Sequence, residues 1–182
     1  MNLEKLTLET DRLKLMPPDL KYTEDIFNEF NEQITTYTDY PPNESLEATR
    51  DVILKFQKAR ADGEELFFVI TDRETGEFLG CCGFHDMKEE QPELGIWIKV
   101  EAQGNKYGRE ALEAVKKWAD ENHEYDYIKY PVVEENWGSR KIAEYLGGSV
   151  QDTYEKKMRT GRTYTLVEYH IPRSLQVVPG HI

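Results

Sequence analysis

Six residues, Gln103-Gly104-Asn105-Lys106-Tyr107-Gly108, join an apolar run from Leu94 to Val100 to a segment with Ala111, Leu112, Val115, Trp118 and Ala119 at helical spacing. A glycine-bearing turn between a strand and a helix start aims several free backbone N–H groups, and the positive end of the helix, at one point. That arrangement holds anions, most often phosphates. The glycine spacing matches neither the Walker P-loop nor the dinucleotide GxGxxG pattern, so neither ATP nor NAD is the first reading.

A chain of 182 residues is most simply one domain, 1–182, long enough for a substantial core. With 23 Lys and Arg against 35 Asp and Glu, the formal net charge is −12. That balance argues against general nucleic-acid binding and against attraction to anionic membranes. It suits a cationic or amine-bearing partner, or serves solubility alone. No apolar stretch approaches the roughly 20 residues of a membrane span. Met1 to Lys5 lacks the basic and apolar regions of a signal peptide, so a cytoplasmic location is expected. The only cysteines, Cys81 and Cys82, are adjacent and should point to opposite faces of a strand, which excludes a disulfide framework. No His/Cys/Asp/Glu spacing suggests a metal site.

Taken in order, residues 6–16 read as a first strand that Pro17-Pro18 ends. Thr23-Glu24-Asp25 looks like a cap leading into Ile26, Phe27, Phe30 and Ile34 at helical spacing. After a loop from Tyr37 to Pro42, a second helix begins at Asn43-Glu44 and stops at Gly63. Three strands follow, at 66–71, 77–87 and 93–100, and the Gly80 and Gly83 of the second imply bulges or close backbone approach. The third helix runs to about Asn122, and a strand over 125–133 contains Pro131. Asn136 caps a short fourth helix, and strands at 149–158 and 162–171 close as a hairpin across Thr160-Gly161. Residues 172–182 read as a surface tail. The expected fold is α/β (α+β), a mixed central sheet of about seven strands in the order β-α-α-β-β-β-α-β-α-β-β.

That order, with the glycine turn after the fourth strand, resembles the GNAT superfamily of acetyl-CoA-dependent N-acetyltransferases. The local sequences look most like its branch of ribosomal-protein N-terminal alanine/serine acetyltransferases. Four stretches carry the likeness: Leu8-Glu9-Thr10-Asp11-Arg12-Leu13-Lys14-Leu15, Glu93-Leu94-Gly95-Ile96-Trp97-Ile98, the 103–112 turn and helix start, and Asn136-Trp137-Gly138-Ser139-Arg140-Lys141 with Leu146-Gly147. One residue departs from the family's turn pattern, Gln/Arg-x-x-Gly-x-Gly/Ala. Lys106 stands where the middle glycine is expected, so its backbone φ becomes informative.

The resemblance implies acetyl transfer from acetyl-CoA to a primary amine, either a protein or peptide N-terminal amine or a small molecule, and the acidic balance favours a cationic acceptor. It implies no metal, and leaves monomer and homodimer both open. Backbone groups of Ile98, Lys99 and Val100 would pair with the pantetheine arm, and those of Gln103, Gly104, Asn105, Lys106, Tyr107 and Gly108 would hold the pyrophosphate, with Arg109 as a phosphate partner or a solvated helix residue. Ser139 would protonate the leaving thiolate, or act as a first-turn serine with local bonds only. Many relatives use a tyrosine seven residues after the asparagine; that position here is Ala143, and Tyr145 should face elsewhere. Asn136 would cap its helix and touch the pantetheine. Glu93 is the candidate general base, with a structural role as the alternative. Glu134 and Glu135 are alternative bases, acceptor binders or solvated carboxylates, and His85 reads as a satisfied buried histidine or a base. Tyr37 and Tyr40 would contact the acceptor or pack within their loop. The rival reading is a GNAT-fold module that binds an acyl-CoA as a sensor with little catalysis.

Overall fold

Continuous apolar runs in the central strands, buried on both sides, build a sheet with a separate core on each face. In the computed structural model, which describes residues 2–174, eight strands form one mixed sheet in the order β1-β2-β3-β4-β5-β6-β8-β7. The strands are β1 (Leu8–Glu9), β2 (Leu13–Met16), β3 (Leu66–Asp72), β4 (Phe78–His85), β5 (Glu93–Ile98), β6 (Tyr127–Val133), β7 (Ser149–Lys157) and β8 (Thr163–Pro172). Four α-helices intervene: α1 (Thr23–Glu29), α2 (Leu46–Ala61), α3 (Tyr107–Asn122) and α4 (Trp137–Tyr145). The element order is the expected one except at the start. Among the described residues no helix is long and apolar enough to cross a membrane.

The larger core lies under α3 and α4, where Leu112, Val115 and Ala143 meet Phe68, Ile70, Cys82, Leu94 and Tyr130. The smaller core lies under α1 and α2, where Ile26 and Ile53 meet Val69 and Cys81. The adjacent cysteines thus fall in different cores, as strand alternation requires. Both are buried and unbridged. Arg60 of α2 is also fully buried. It donates to the carbonyls of Leu3, Phe67 and Leu6 at 2.7, 2.7 and 2.5 Å and lies over the Phe68 ring, tying the N-terminal segment to the sheet.

Three expected boundaries move. The strand expected over 6–16 breaks at Thr10 and folds back as the β1–β2 hairpin, with Leu8 opposite Leu15, which raises the strand count to eight. The first helix ends at Glu29, so Ile34 belongs to a separate 3-10 turn over Ile34–Tyr37. The second helix starts after Ser45, whose hydroxyl accepts from the Ala48 N–H at 3.0 Å and so caps it. The expected tail lies largely outside the described residues. Its first part is tied down, because Pro172 pairs with Tyr127 and Arg173 bonds Glu124 and the Asp120 carbonyl.

Candidate active site

β5 and β6 run parallel but share a single register pair, Glu93 opposite Lys129. The Lys129 N–H donates to the Pro92 carbonyl at 2.8 Å, so this N–H points toward β5. Two residues on, the same edge belongs to Pro131, which has no N–H to give. The ladder therefore stops, and the strands part toward their C-terminal ends. Pro131 fits inside β6 because its other edge faces β8, where it lies opposite Glu168.

The other wall of this fork is the β5 backbone. Lys99 N–H donates to the Leu79 carbonyl on β4 at 2.8 Å. By two-residue alternation, Ile96 and Ile98 turn their backbone groups the opposite way, toward the fork. Of these, the Ile98 carbonyl accepts from the Gln103 side chain at 3.0 Å. Of the expected edge, Ile98, Lys99 and Val100, only Ile98 stands on the strand with its backbone turned to the fork. Lys99 spends its N–H on β4, and Val100 has left the strand for a 3-10 turn, Val100–Ala102. Ile96 and the N–H of Ile98 supply the open backbone.

At the mouth of the fork stands the glycine turn. Lys106 adopts φ 63° and ψ 19°, the left-handed conformation, and precedes α3 without a side-chain cap. The position does require the geometry a glycine accepts most easily, at a cost of roughly 1–2 kcal/mol for lysine. Gly104, at φ 82°, shares the bend. Asn105 braces it by donating its side-chain amide to the Ala102 carbonyl at 3.0 Å. Among the described residues, the N–H groups from Gly104 to Arg109 meet no protein acceptor. Gly108 lets α3 sit close to the fork: a Cβ there would lie 3.1 Å from Ile142 and 3.4 Å from Ile96.

A brace missed in the sequence fixes this turn. Arg12, in the β1–β2 hairpin, donates to the Asn105 carbonyl at 3.0 Å, pairs with Glu110 at 2.7 Å and lies over the Tyr107 ring. Thr10 also donates to Glu110, at 2.6 Å. Burial pushes the Glu110 carboxyl up, but the bonds from Thr10 and Arg12 prevail and hold it below its ordinary value. Arg109 turns away from the turn: its guanidinium lies over the ring of Tyr145, whose hydroxyl donates to Glu113.

On the β6 side, the Asn136 side chain accepts from the Ser139 N–H at 3.3 Å and caps α4. The Ser139 hydroxyl meets the Tyr130 hydroxyl at 2.6 Å. Tyr130 is 2% exposed, and burial pushes its hydroxyl up to about 12, so it stays protonated. Nothing in the spacing of the chain announced this pair. Ala143 is buried in the core.

The opposite face of the sheet, under α1 and α2, carries a row of polar side chains. His85, Glu93, Lys129 and His170 are register partners in turn across β4, β5, β6 and β8. Burial pushes the Glu93 carboxyl up, against the pull of His85 and Lys129. His85 is not a sealed core histidine; its side chain is 29% exposed and Nδ1 meets the Glu65 carboxylate.

Tyr37 and Tyr40 serve a strap. Tyr37 packs edge-on against Tyr164, whose hydroxyl donates to the Thr36 carbonyl at 3.0 Å. Asp39 accepts from the Arg159 N–H at 3.0 Å and pairs with Lys156 at 3.2 Å, while Arg159 covers the ring of Tyr40. The loop over 34–42 is thereby tied to the tip of the β7–β8 hairpin. Glu134 and Glu135 are solvent-exposed; the Glu134 backbone bonds Thr165 and Arg140.

Comparison with known proteins adds the family. Residues 12–149, more than half of the chain, match the Acetyltransferase (GNAT) domain family. An uncharacterized N-acetyltransferase, p20 of Bacillus licheniformis, is 26% identical over 157 residues, covering 82% of this chain and 88% of that protein. A GNAT-family acetyltransferase from Bacillus anthracis superposes with a TM-score of 0.80 at 19% identity, over 92% of this chain and 99% of that one. RimL, a ribosomal-protein alpha-N-acetyltransferase solved with coenzyme A, superposes with a TM-score of 0.83 at 14% identity, over 92% and 98%. The structural likenesses establish a shared fold, and the domain match agrees with the forked strands and the glycine turn: the chain belongs to the GNAT acetyltransferase domain family.

Proposed function

We propose that the fork between β5 and β6 binds acetyl-CoA and that the protein transfers the acetyl group to a primary amine. The observation that carries this reading is the single Glu93–Lys129 register pair followed by Pro131. It opens a backbone edge at Ile96 and Ile98 that runs from the unmet N–H groups of 104–109 toward Ser139.

Each part fits a different portion of the ligand. The N–H groups of the turn and the positive end of α3 suit a pyrophosphate. The Ile96 and Ile98 edge suits the amides of a pantetheine arm, added as a strand is added to a sheet. RimL, which shares the fold, was solved with coenzyme A. A thioester is already activated, so the residues need to orient it, receive a proton from the acceptor ammonium and give one to the leaving sulfur. Ser139, backed by Tyr130, supplies the proton to sulfur. The acceptor ammonium loses its proton toward the Glu93 and His85 pair on the other face. Glu93, Glu65 and Glu168 make that face attractive to a cation, in keeping with the net charge of −12. The acceptors that fit are peptide N-terminal amines and polyamine-like molecules, under the strap formed by residues 34–42 and the β7–β8 hairpin.

Release of free thiol from acetyl-CoA, followed over a panel of amines, tests the reading. Acetyl-CoA is expected to raise the unfolding temperature, and at least one amine to drive thiol release. Binding without transfer to any amine marks an acyl-CoA-binding module instead. Absence of stabilisation at high excess removes the ligand assignment.

A further inference from the structure

We propose that His85, held by Glu65, is the catalytic base that takes the proton from the acceptor ammonium, with Glu93 acting beside it as the counter-charge. This rests on the acetyl-transfer reading above and names a residue within it.

Geometry carries the assignment. His85 ends β4, and its ring folds back over two glycines on the same face of the sheet. A Cβ at Gly83 would lie 2.2 Å from Nε2, and one at Gly95 would lie 3.4 Å from it. Any side chain at Gly83 would therefore occupy the place of the imidazole. Gly95 is two residues beyond Glu93, on the part of β5 where the pairing with β6 has ended. The ring thus lies over β4 and beside Gly95 of β5, level with the first stretch of β5 that β6 no longer pairs. Nδ1 meets the Glu65 carboxylate, and Nε2 meets no protein partner among the described residues. A carboxylate accepts only from N–H, so the neutral ring carries its proton on Nδ1 and leaves the Nε2 lone pair without a protein partner.

Glu93 is less well placed to meet the acceptor. It lies at the closed end of the fork, where β5 and β6 are still paired. As the register partner of His85 it stands where a carboxylate stabilises an imidazolium. The charged groups facing His85 are Glu65 before β3, Glu93 on β5, and Lys129 beyond Glu93 on β6; Asp86 follows it in the chain. In the balanced step, Nε2 takes one proton from R–NH3+, and the amine nitrogen forms a bond to the thioester carbon. The carbon–sulfur bond then breaks, and the second proton from nitrogen goes, by way of Ser139, to the departing sulfur. The products are the amide, the free thiol and a protonated His85, which returns its proton to solvent.

The test compares His85→Gln, Glu65→Gln and Gly83→Ala with the unaltered protein. His85→Gln is expected to lower kcat by about 100-fold or more near neutral pH, within the usual range for a lost acid–base group. The loss should shrink at alkaline pH, where the amine arrives unprotonated, and the thermal shift with acetyl-CoA should not change. Gly83→Ala is expected to impair kcat while His85 is still present, because the ring is displaced. Nitrogen NMR of the unaltered protein gives an independent readout, with a proton expected on Nδ1 and none on Nε2 under mildly alkaline conditions. A His85→Gln variant within about twofold of the parent, or the opposite tautomer, overturns the assignment while leaving acetyl transfer intact. If the parent transfers acetyl to no amine, the broader reading fails and the base assignment fails with it.

Discussion

The hydroxyls of Tyr130 and Ser139 lie 2.6 Å apart, linking a core-facing residue of β6 to the first turn of α4 at the edge of the fork. Loss of either partner should be felt twice. Ser139→Ala is expected to lower kcat by about 100-fold with the acetyl-CoA KM nearly unchanged. It should also cost about 1–3 kcal/mol of stability, because the Tyr130 hydroxyl is left buried and unpaired. Tyr130→Phe should lower kcat less, since Ser139 survives without its orienting partner. Thiol-release kinetics and urea unfolding measure both effects, and an unchanged rate in Ser139→Ala removes Ser139 from the mechanism.

Lys106→Gly should stabilise the protein. Lysine in the left-handed conformation is strained, and glycine adopts that conformation freely, although glycine also loses more chain entropy on folding. The net gain expected is about 1 kcal/mol or less, read as a small rise in unfolding temperature. A fall would mean that the Lys106 side chain supports the turn by more than its backbone strain costs.

Two carboxylates predict pH effects of opposite sign. The Glu110 carboxyl is held below its ordinary value of 4.5. Its contribution should be complete above pH 4.5 and lost as pH falls through the lower folded value. The Glu93 carboxyl is raised above 4.5, so the fold favours its neutral form, and a penalty should grow as pH rises through the raised value. Urea unfolding across pH should therefore find Glu110→Gln less stable than the parent at neutral pH, with the difference vanishing in acid. Glu93→Gln should be more stable at neutral pH and equal in acid.

Asp39 tests the strap. Its carboxylate joins the loop over 34–42 to the β7–β8 tip through Arg159 and Lys156. Asp39→Ala should speed amide exchange in both segments and raise the acceptor KM, with acetyl-CoA binding unchanged. An unaltered acceptor KM would separate the strap from the acceptor site.

Local signals made much of the fold legible. The glycine turn announced α3, Asn136 announced the α4 cap, and apolar runs bounded by turn residues announced β3 to β5. Features that depend on distant partners were not legible. Residues 6–16 alternate like one strand, and the break at Thr10 is supported by Glu110, about a hundred positions away. The Tyr130–Ser139 pair exists because β6 and α4 meet at one angle, which spacing does not encode. Tyr37 and Tyr40 read as loop aromatics with either role, and their ties to Tyr164 and Arg159 were not legible because those partners lie far along the chain. Pro131 looked misplaced in a strand, yet its missing N–H is what lets the fork open.

Detection of an acetylated amine by mass spectrometry decides whether the protein transfers acetyl groups. The protein is incubated with acetyl-CoA and a panel holding peptides that begin with Ala or Ser, together with spermidine. An acetylated product from at least one of these is expected, formed in step with free thiol and sharply reduced in Ser139→Ala. Stabilisation by acetyl-CoA with no acetylated product from any amine would contradict acetyl transfer.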